Sequence, residues 1–579
     1  MKNKNKIILL MTLLFMILST QNVYAAEIEK TQQITGAVTL LPPLVAIILA
    51  FITKNVVVSL FIWTLSGCFI LNINGNNVFY ALVHSFLDFV QKVLDSLADP
   101  WNAGIILQVL IIGGVINLVS KMGGAKAVAE SLAKKAKNAR STQIITWLLG
   151  IFVFFDDYAN SLIVGPIMKP VADRMRISRE RLAFIIDATA APIAGIAIVS
   201  TWIGLEVGLI NDAFTGIGVK QDAFGVFLQT IPYRFYNILI LIFVVFTAFT
   251  LREFGPMRKC EIEARKGKKS EKGEELSKEQ LDEIKVKDGV KLSIWNAIIP
   301  IGTLIVSALV SFYYNGYMAI MASSNEALKQ VMINSPISFN AIQQAFSNSD
   351  ASVALFQSAL FASIVTMILA VVKRIFTISE AIEVWIDGMK GLIITGVILL
   401  LAWSLSSVIK EIGTAQYLVG MLSDTIPKFL LPSVIFILGA IISFSTGTAY
   451  GTMGILMPLA IPLAYAISTD MNFVVMSTSA VLTGAIFGDH CSPISDTTIL
   501  SSMGSGCNHI SHVKTQIWYS MFVAAITILF GYIPVGLGMP IYIVLPMAIL
   551  GLCIVTYFLG KPIEEEKNWH KYKNVLWFN

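Results

Sequence analysis

The sequence predicts an all-α polytopic membrane protein of about 11 transmembrane helices plus two re-entrant hairpins, in an inverted-topology repeat with two interrupted helices. Three observations carry that expectation. Hydrophobic residues make up 55% of the 579-residue chain and charged residues only 14%, against roughly 25% charged in soluble proteins. Apolar runs near the roughly 20 residues that cross a bilayer core recur along it, and mean hydropathy is +0.73. The same order of elements occurs on both sides of one charged stretch.

This composition excludes a soluble enzyme and a disordered or fibrous chain. The net charge of +5 implies no nucleic-acid partner; the basic residues matter through placement, because they collect on the cytoplasmic side. Five scattered cysteines indicate no disulfide framework.

Taken in order, residues 1–26 read as a secretory signal peptide: Lys2, Lys4 and Lys6, the apolar stretch Ile7 to Leu18, then the small-residue site Val23-Tyr24-Ala25-Ala26. An uncleaved first helix is the other reading. Residues 27–251 form the first membrane repeat, with apolar runs at 36–54, 55–73, 103–121, 182–206 and 224–251 and an unusual segment at 141–172. Residues 252–292 carry twelve Lys/Arg and ten Asp/Glu and read as a solvated cytoplasmic linker. Residues 293–534 form the second repeat, with runs at 292–313, 351–372, 390–410, 472–490 and 513–534 and an unusual segment at 429–466. Residues 535–579 add a further transmembrane helix, the apolar run at 540–560, and a cytoplasmic tail. Amphipathic stretches at 76–98 and 375–389 are expected to lie at the membrane interface.

Local matches support duplication. Tyr158, Pro166 and Pro170 correspond to Tyr450, Pro458 and Pro462, and Ala191-Pro192-Ile193 to Ser492-Pro493-Ile494. Charge placement makes the duplication inverted. Lys134, Lys135, Lys137 and Arg140 precede the 141–172 segment, and Arg174, Arg176, Arg179 and Arg181 follow it, so both ends face the cytoplasm. It therefore reads as a re-entrant hairpin with arms at 142–155 and 160–172 and tip Asp156 to Asn160. Its counterpart, with tip Ser445 to Gly451, enters from outside. The mature N-terminus then lies outside and the C-terminus inside.

Irregular backbone at membrane depth is tolerated only where protein or a water-filled cavity surrounds it, and transporters build substrate sites there. Besides the two tips, breaks are expected at Asp187 to Pro192 and at Gly488 to Thr498, each with a proline that removes a backbone donor. Freed carbonyls beside hydroxyl and carboxylate oxygens suit a small hard cation, and sodium is the natural candidate. Aspartates within apolar segments usually mark an ion or proton path. The candidate ion- or substrate-binding residues are therefore Asp156, Asp157, Asn160, Asp187, Thr189, Thr446, Thr448, Asp489, Ser492, Asp496 and Thr497, with His490 as a pH-tuning neighbour. Each has a plainer reading, as a helix cap or as a partner for freed backbone. Glu206 reads as a solvated interfacial residue. Cys507, His509 and His512 lack a second cysteine pair at metal spacing, so no metal site and no resident cofactor are expected. Sodium ion and proton are the coupled substrates, and the expected partners are membrane lipid, small cations and, as an alternative, a small organic substrate. A homodimer is left open.

Phe154 to Asn160, Ile177-Ser178-Arg179-Glu180, the Asp187 to Pro192 break, Ser445 to Met453 and above all Gly488-Asp489-His490-Cys491-Ser492-Pro493-Ile494-Ser495-Asp496-Thr497-Thr498 resemble the NhaC family of sodium/proton antiporters. The resemblance implies a secondary transporter of the bacterial cell membrane, with paired hairpins and broken helices meeting at the midplane. It leaves the substrate open, since relatives carry organic acids or amino acids. An intramembrane aspartyl protease is disfavoured: the order here is Asp157-Tyr158, and Ile486 replaces the first glycine of a Gly-x-Gly-Asp motif. A channel is disfavoured by the inverted repeat.

Overall fold

A computed structural model of the chain describes residues 55–73, 76–198, 200–268, 286–287, 289–413 and 427–563, with a few single positions besides. The expected signal peptide, most of the 36–54 run, the centre of the linker and the tail beyond 563 lie outside the described residues.

The described residues are mostly helical, and nine of their helices are long and apolar enough to cross a membrane, or up to ten if one bent pair is a single span. Polar caps set their boundaries. Asp99 accepts from Trp101 N and Asn102 N, with Pro100 at the first helical position, and opens Pro100–Lys121. Asp350 and Asp470 likewise open Ala351–Val372 and Met471–Cys491. A reciprocal Thr377–Glu380 capping box starts the amphipathic Ile378–Gly391, and Asn77 starts Val78–Ala98. Two short helices, Glu326–Asn334 and Phe339–Ser347, had no clear signal in the apolar pattern.

Small residues let these helices approach closely. Pro100–Lys121 meets Ile378–Gly391 where Gly113 faces Gly388: a Cβ on Gly388 would lie 2.4 Å from Gly113 O. Met471–Cys491 meets Leu431–Thr446 through Gly484 and Gly488, whose added Cβ atoms would lie 2.4 Å from Phe436 O and 2.3 Å from Ala440 O. Backbone cannot yield as a side chain does. Gly488→Ala is therefore expected to cost about 1–3 kcal/mol and to lower transport by displacing the adjacent Asp489. Gly302→Ala, with nothing within 4 Å of its added Cβ, should leave both unchanged; thermal unfolding in detergent and vesicle transport would check this.

Both unusual segments are helix–turn–helix units, with shifted boundaries. The first consists of Ala139–Phe152 and Asp157–Arg174. The expected tip from Asp156 to Asn160 shrinks to a turn at 153–156, because the Asp156 carboxylate caps the second arm at Ala159 N and draws Asp157 onward into helix. The second consists of Leu431–Thr446 and Ala449–Ile467. Its expected tip from Ser445 to Gly451 narrows to Gly447 and Thr448: Gly447 ends one helix at φ 68°, and Thr448 caps the next. Pro166 and Pro170 lie inside one second arm, Pro458 and Pro462 inside the other.

Five expectations are corrected. The interruption expected in the 182–206 run has a different extent: Arg179–Ala188 ends, Ala191–Ala194 makes a single turn, and helix resumes only at Ile203. The break is thus longer than Asp187 to Pro192, held open by bonds from Thr201 N to Phe155 O and from Ser200 Oγ to Ala194 O. The second break is shorter than expected, since Gly488 to Cys491 remain helical and only Ser492 to Ser495 separate Met471–Cys491 from Asp496–Ser505. The 224–251 run bends by 45° between Ala223–Tyr233 and Phe235–Thr250, beside Pro232.

The fourth correction is Glu206, which is fully buried rather than solvated. Arg234, also fully buried at the bend, meets it in a two-pronged ion pair, Nη2 to Oε2 2.6 Å and Nη1 to Oε1 3.1 Å. Arg234 also donates to Gly195 O, tying the pair to the first break. The start of the linker departs from a solvated loop too. Arg252–Glu253 pairs antiparallel with Lys561–Pro562, and Gly255–Arg265 is a helix that buries Met257 and Glu261. Burial, opposed by Arg181 and the Tyr519 hydroxyl, pushes the Glu253 carboxyl up to about 7.

Candidate functional site

Each unit crosses to the other half of the chain. The second arm Asp157–Arg174 packs against Asp496–Ser505 so closely that a Cβ on Gly165 would lie 2.7 Å from Gly504 C, and Ser161 Oγ and Ser501 Oγ are 3.0 Å apart. A Cβ on Gly447 in the other turn would lie 2.6 Å from Ile494 O in the second break. The start of Ala449–Ile467 reaches the first break, where Tyr450 meets Trp202 edge-on with ring centroids 4.6 Å apart.

Where these four pieces meet there is a cleft of about 50 Å³, room for a few water-sized particles. Carboxylates reach it from three elements: Asp157 from the first unit, Asp489 from the last turn before the second break, and Asp496 from the first turn after it. Thr448, Ser495 and Thr497 add hydroxyls, and Tyr158, Trp202 and Tyr450 form its aromatic wall. Asp157 is 4% and Asp489 5% exposed. Asp496 is exposed and accepts a hydrogen bond from Tyr158 Oη at 3.1 Å, so the cleft opens on that side. No lysine or arginine lines it. Clustered carboxylates in a poorly hydrated site need countercharge, from protons or a cation.

The other sequence candidates surround the cleft without lining it. Asp156 serves as the cap already described. Asn160 Nδ2 donates to Thr189 O at 2.5 Å and Gly150 O at 3.3 Å, bracing the first break, and the Thr189 hydroxyl bonds Ile185 O. Thr446 Oγ1 bonds back to Ile442 O. Ser492 Oγ donates to Phe444 O at 2.7 Å and joins the second break to the second unit.

Asp187 lies in a second, fully buried polar cluster. Gln516 Nε2 donates to its Oδ2 at 2.6 Å and also to His490 O, while Gln516 Oε1 contacts His512 Nε2. His490 Nδ1 shares a hydrogen bond of 2.7 Å with Tyr236 Oη, so it faces away from the cleft. The two clusters adjoin at consecutive residues, since Asp489 lines the cleft and the His490 carbonyl accepts from Gln516.

Sequence reasoning missed Gln516 and weighed His512 only as part of a metal site, whereas the two lie four residues apart on one helical face beside Asp187. It also missed the Glu206–Arg234 pair, although an arginine beside Pro232 within an apolar run was a usable signal. Asp212, with Oδ2 buried and unpartnered, was passed over as well.

The sequence profile of the Na+/H+ antiporter family matches residues 193–537, a stretch that contains Trp202, Thr448, Asp489 and Asp496. The chain is 33% identical over 499 residues to an uncharacterized protein of Haemophilus influenzae, covering 86% of this chain and 90% of that one. Over 104 residues it is 33% identical to the malate-2H(+)/Na(+)-lactate antiporter of Bacillus subtilis, covering 17% of this chain and 22% of that protein. Over 117 residues it is 34% identical to an uncharacterized Na(+)/H(+) antiporter of Haemophilus influenzae, covering 19% and 23% respectively. With a family match over more than half its length and helices able to span a membrane many times, this chain is a multi-pass membrane protein that belongs to the Na+/H+ antiporter family.

Proposed function

We propose that the protein exchanges sodium ions for protons across the bacterial cytoplasmic membrane, with Asp157, Asp489 and Asp496 as alternating ligands for the two. The observation that carries this reading is a cleft of about 50 Å³ lined by three carboxylates, three Ser/Thr hydroxyls and two tyrosines and by no basic side chain. Hard oxygen ligands and a small volume suit a small cation. Protonation of the carboxylates and cation binding compete for the same countercharge, which couples the two fluxes. Alternation would move the elements that meet at the cleft, in an inverted repeat whose two hairpins are re-entrant, with the mature N-terminus outside and the C-terminus inside. Support for the repeat is the shared pattern of a capped second arm, Asp156 in one unit and Thr448 in the other, each followed by two internal prolines.

In inside-out vesicles carrying the protein, adding sodium is expected to evoke a pH change that potassium does not. The alternative is a sodium-coupled transporter or antiporter of a small organic anion or amino acid, which the name of the Bacillus relative brings forward. An organic anion would need a cationic partner that the cleft does not offer. Uptake of labelled lactate, malate or an amino acid, without a sodium-evoked pH change, would overturn the first reading in favour of the second.

A further inference from the structure

A larger cavity, about 510 Å³, lies between Gly255–Arg265 and the end of the last described helix, Ile541–Leu559. Its charge is one-sided. Arg258, Lys259, Lys266 and Lys561 line it, and its two carboxylates are already engaged: Glu253 with Arg181 at 3.4 Å, Glu263 with Lys268 at 3.0 Å. Lys259, Lys266 and Lys561 are exposed and have no carboxylate partner among the described residues. Arg258 donates to Pro562 O at 3.4 Å, and its Nε is buried with no partner.

The apolar wall of the same cavity continues onto the outside of the bundle. Leu559 lines the cavity and is 50% exposed; Phe558 beside it is 80% exposed. Trp518, 59% exposed, stands 3.8 Å from the position of a Cβ on Gly255. Ile541–Leu559 is apolar enough to cross a membrane and has only 22% of its most apolar window buried, so most of that window lies on the outside of the bundle.

We propose that this cavity binds the phosphate-bearing headgroup of an anionic phospholipid, with the acyl chains running along Phe558 and Leu559. A free phosphate would satisfy the basic residues but would leave no role for the apolar wall, whereas a lipid uses both. The site sits where the strand Lys561–Pro562 clips onto Arg252–Glu253, so an occupied headgroup would bridge the last helix to the linker helix. It stands independently of what the cleft transports.

The test uses purified, delipidated full-length protein in detergent, with binding of phosphatidylglycerol and phosphatidylcholine followed by native mass spectrometry. Wild type should bind phosphatidylglycerol in preference to phosphatidylcholine. The triple variant Lys259→Gln/Lys266→Gln/Lys561→Gln, all at exposed positions, should lose about 100-fold in phosphatidylglycerol affinity. The equal charge change Lys126→Gln/Lys134→Gln/Lys135→Gln, on the helix Gly124–Ala133 and the turn after it, should lose far less. Equal losses in the two variants, or none in the first, would overturn the proposal. So would displacement of phosphatidylglycerol by millimolar inorganic phosphate, which would make this a soluble-anion site.

Discussion

Asp489→Asn should abolish sodium-evoked proton movement, with a loss of roughly 100-fold or more in exchange rate, the scale of removing one buried charge from an ion site. Asn matches the shape of Asp489 on the last turn of its helix, so the protein should still fold and purify. Asp157→Asn is expected to do the same, since Asp157 is 4% exposed on the same cleft. Its neighbour supplies the control. Asp156 caps the helix at Ala159 N, 2.7 Å away, and Asn caps as well as Asp, so Asp156→Asn should retain exchange. A dye-reported pH assay in inside-out vesicles would decide. Undiminished exchange in Asp489→Asn and Asp157→Asn would remove both from the mechanism, and loss in Asp156→Asn would show that its charge, rather than its cap, matters.

The second large effect concerns stability. Glu206→Gln leaves the fully buried Arg234 without its carboxylate, and Arg234→Ala leaves Glu206 buried and alone; each should cost about 3–5 kcal/mol. The cost is high because both side chains are 0% exposed and neither can reach water without moving the bend. The double variant Glu206→Leu/Arg234→Met should recover much of that stability, because no uncompensated charge remains. It should not recover transport fully, since the bond from Arg234 to Gly195 O that anchors the first break is gone. Unfolding in mixed micelles paired with vesicle exchange would check both halves; single variants as stable as wild type would show that the pair is solvated in the working protein.

The spans were legible because hydropathy is a local property. The apolar run at 351–372 is the helix Ala351–Val372, and that at 540–560 contains Ile541–Leu559. Both helix–turn–helix units were legible from polar residues between apolar arms, although the arms of the second, Lys428–Thr446 and Ala449–Ile467, are each long and apolar enough to cross a membrane. Their tips were drawn too wide, because a cap recruits the following polar residues into helix: Asp156 and Thr448 each begin a helix where the composition suggests loop. The width of the breaks was not legible either. A proline signals an interruption, but how far it extends depends on tertiary partners such as Phe155 O for Thr201 N.

By itself the sequence determined a polytopic helical membrane protein with aspartates stranded among apolar runs, because the bilayer cost of a charge is read residue by residue. Only the tertiary structure decided which of those aspartates share a site. Tyr158 and Asp496 are 338 positions apart and hydrogen-bonded, while the adjacent Asp156 and Asp157 part company, one to a helix cap and one to the cleft. The same packing buried Glu206, which sequence placed at a surface, by supplying Arg234 from the bend between two other helices. Hydropathy is fixed by each side chain's own chemistry, but partnership depends on which distant backbone comes near, and here small residues such as Gly165, Gly447 and Gly504 allow that approach.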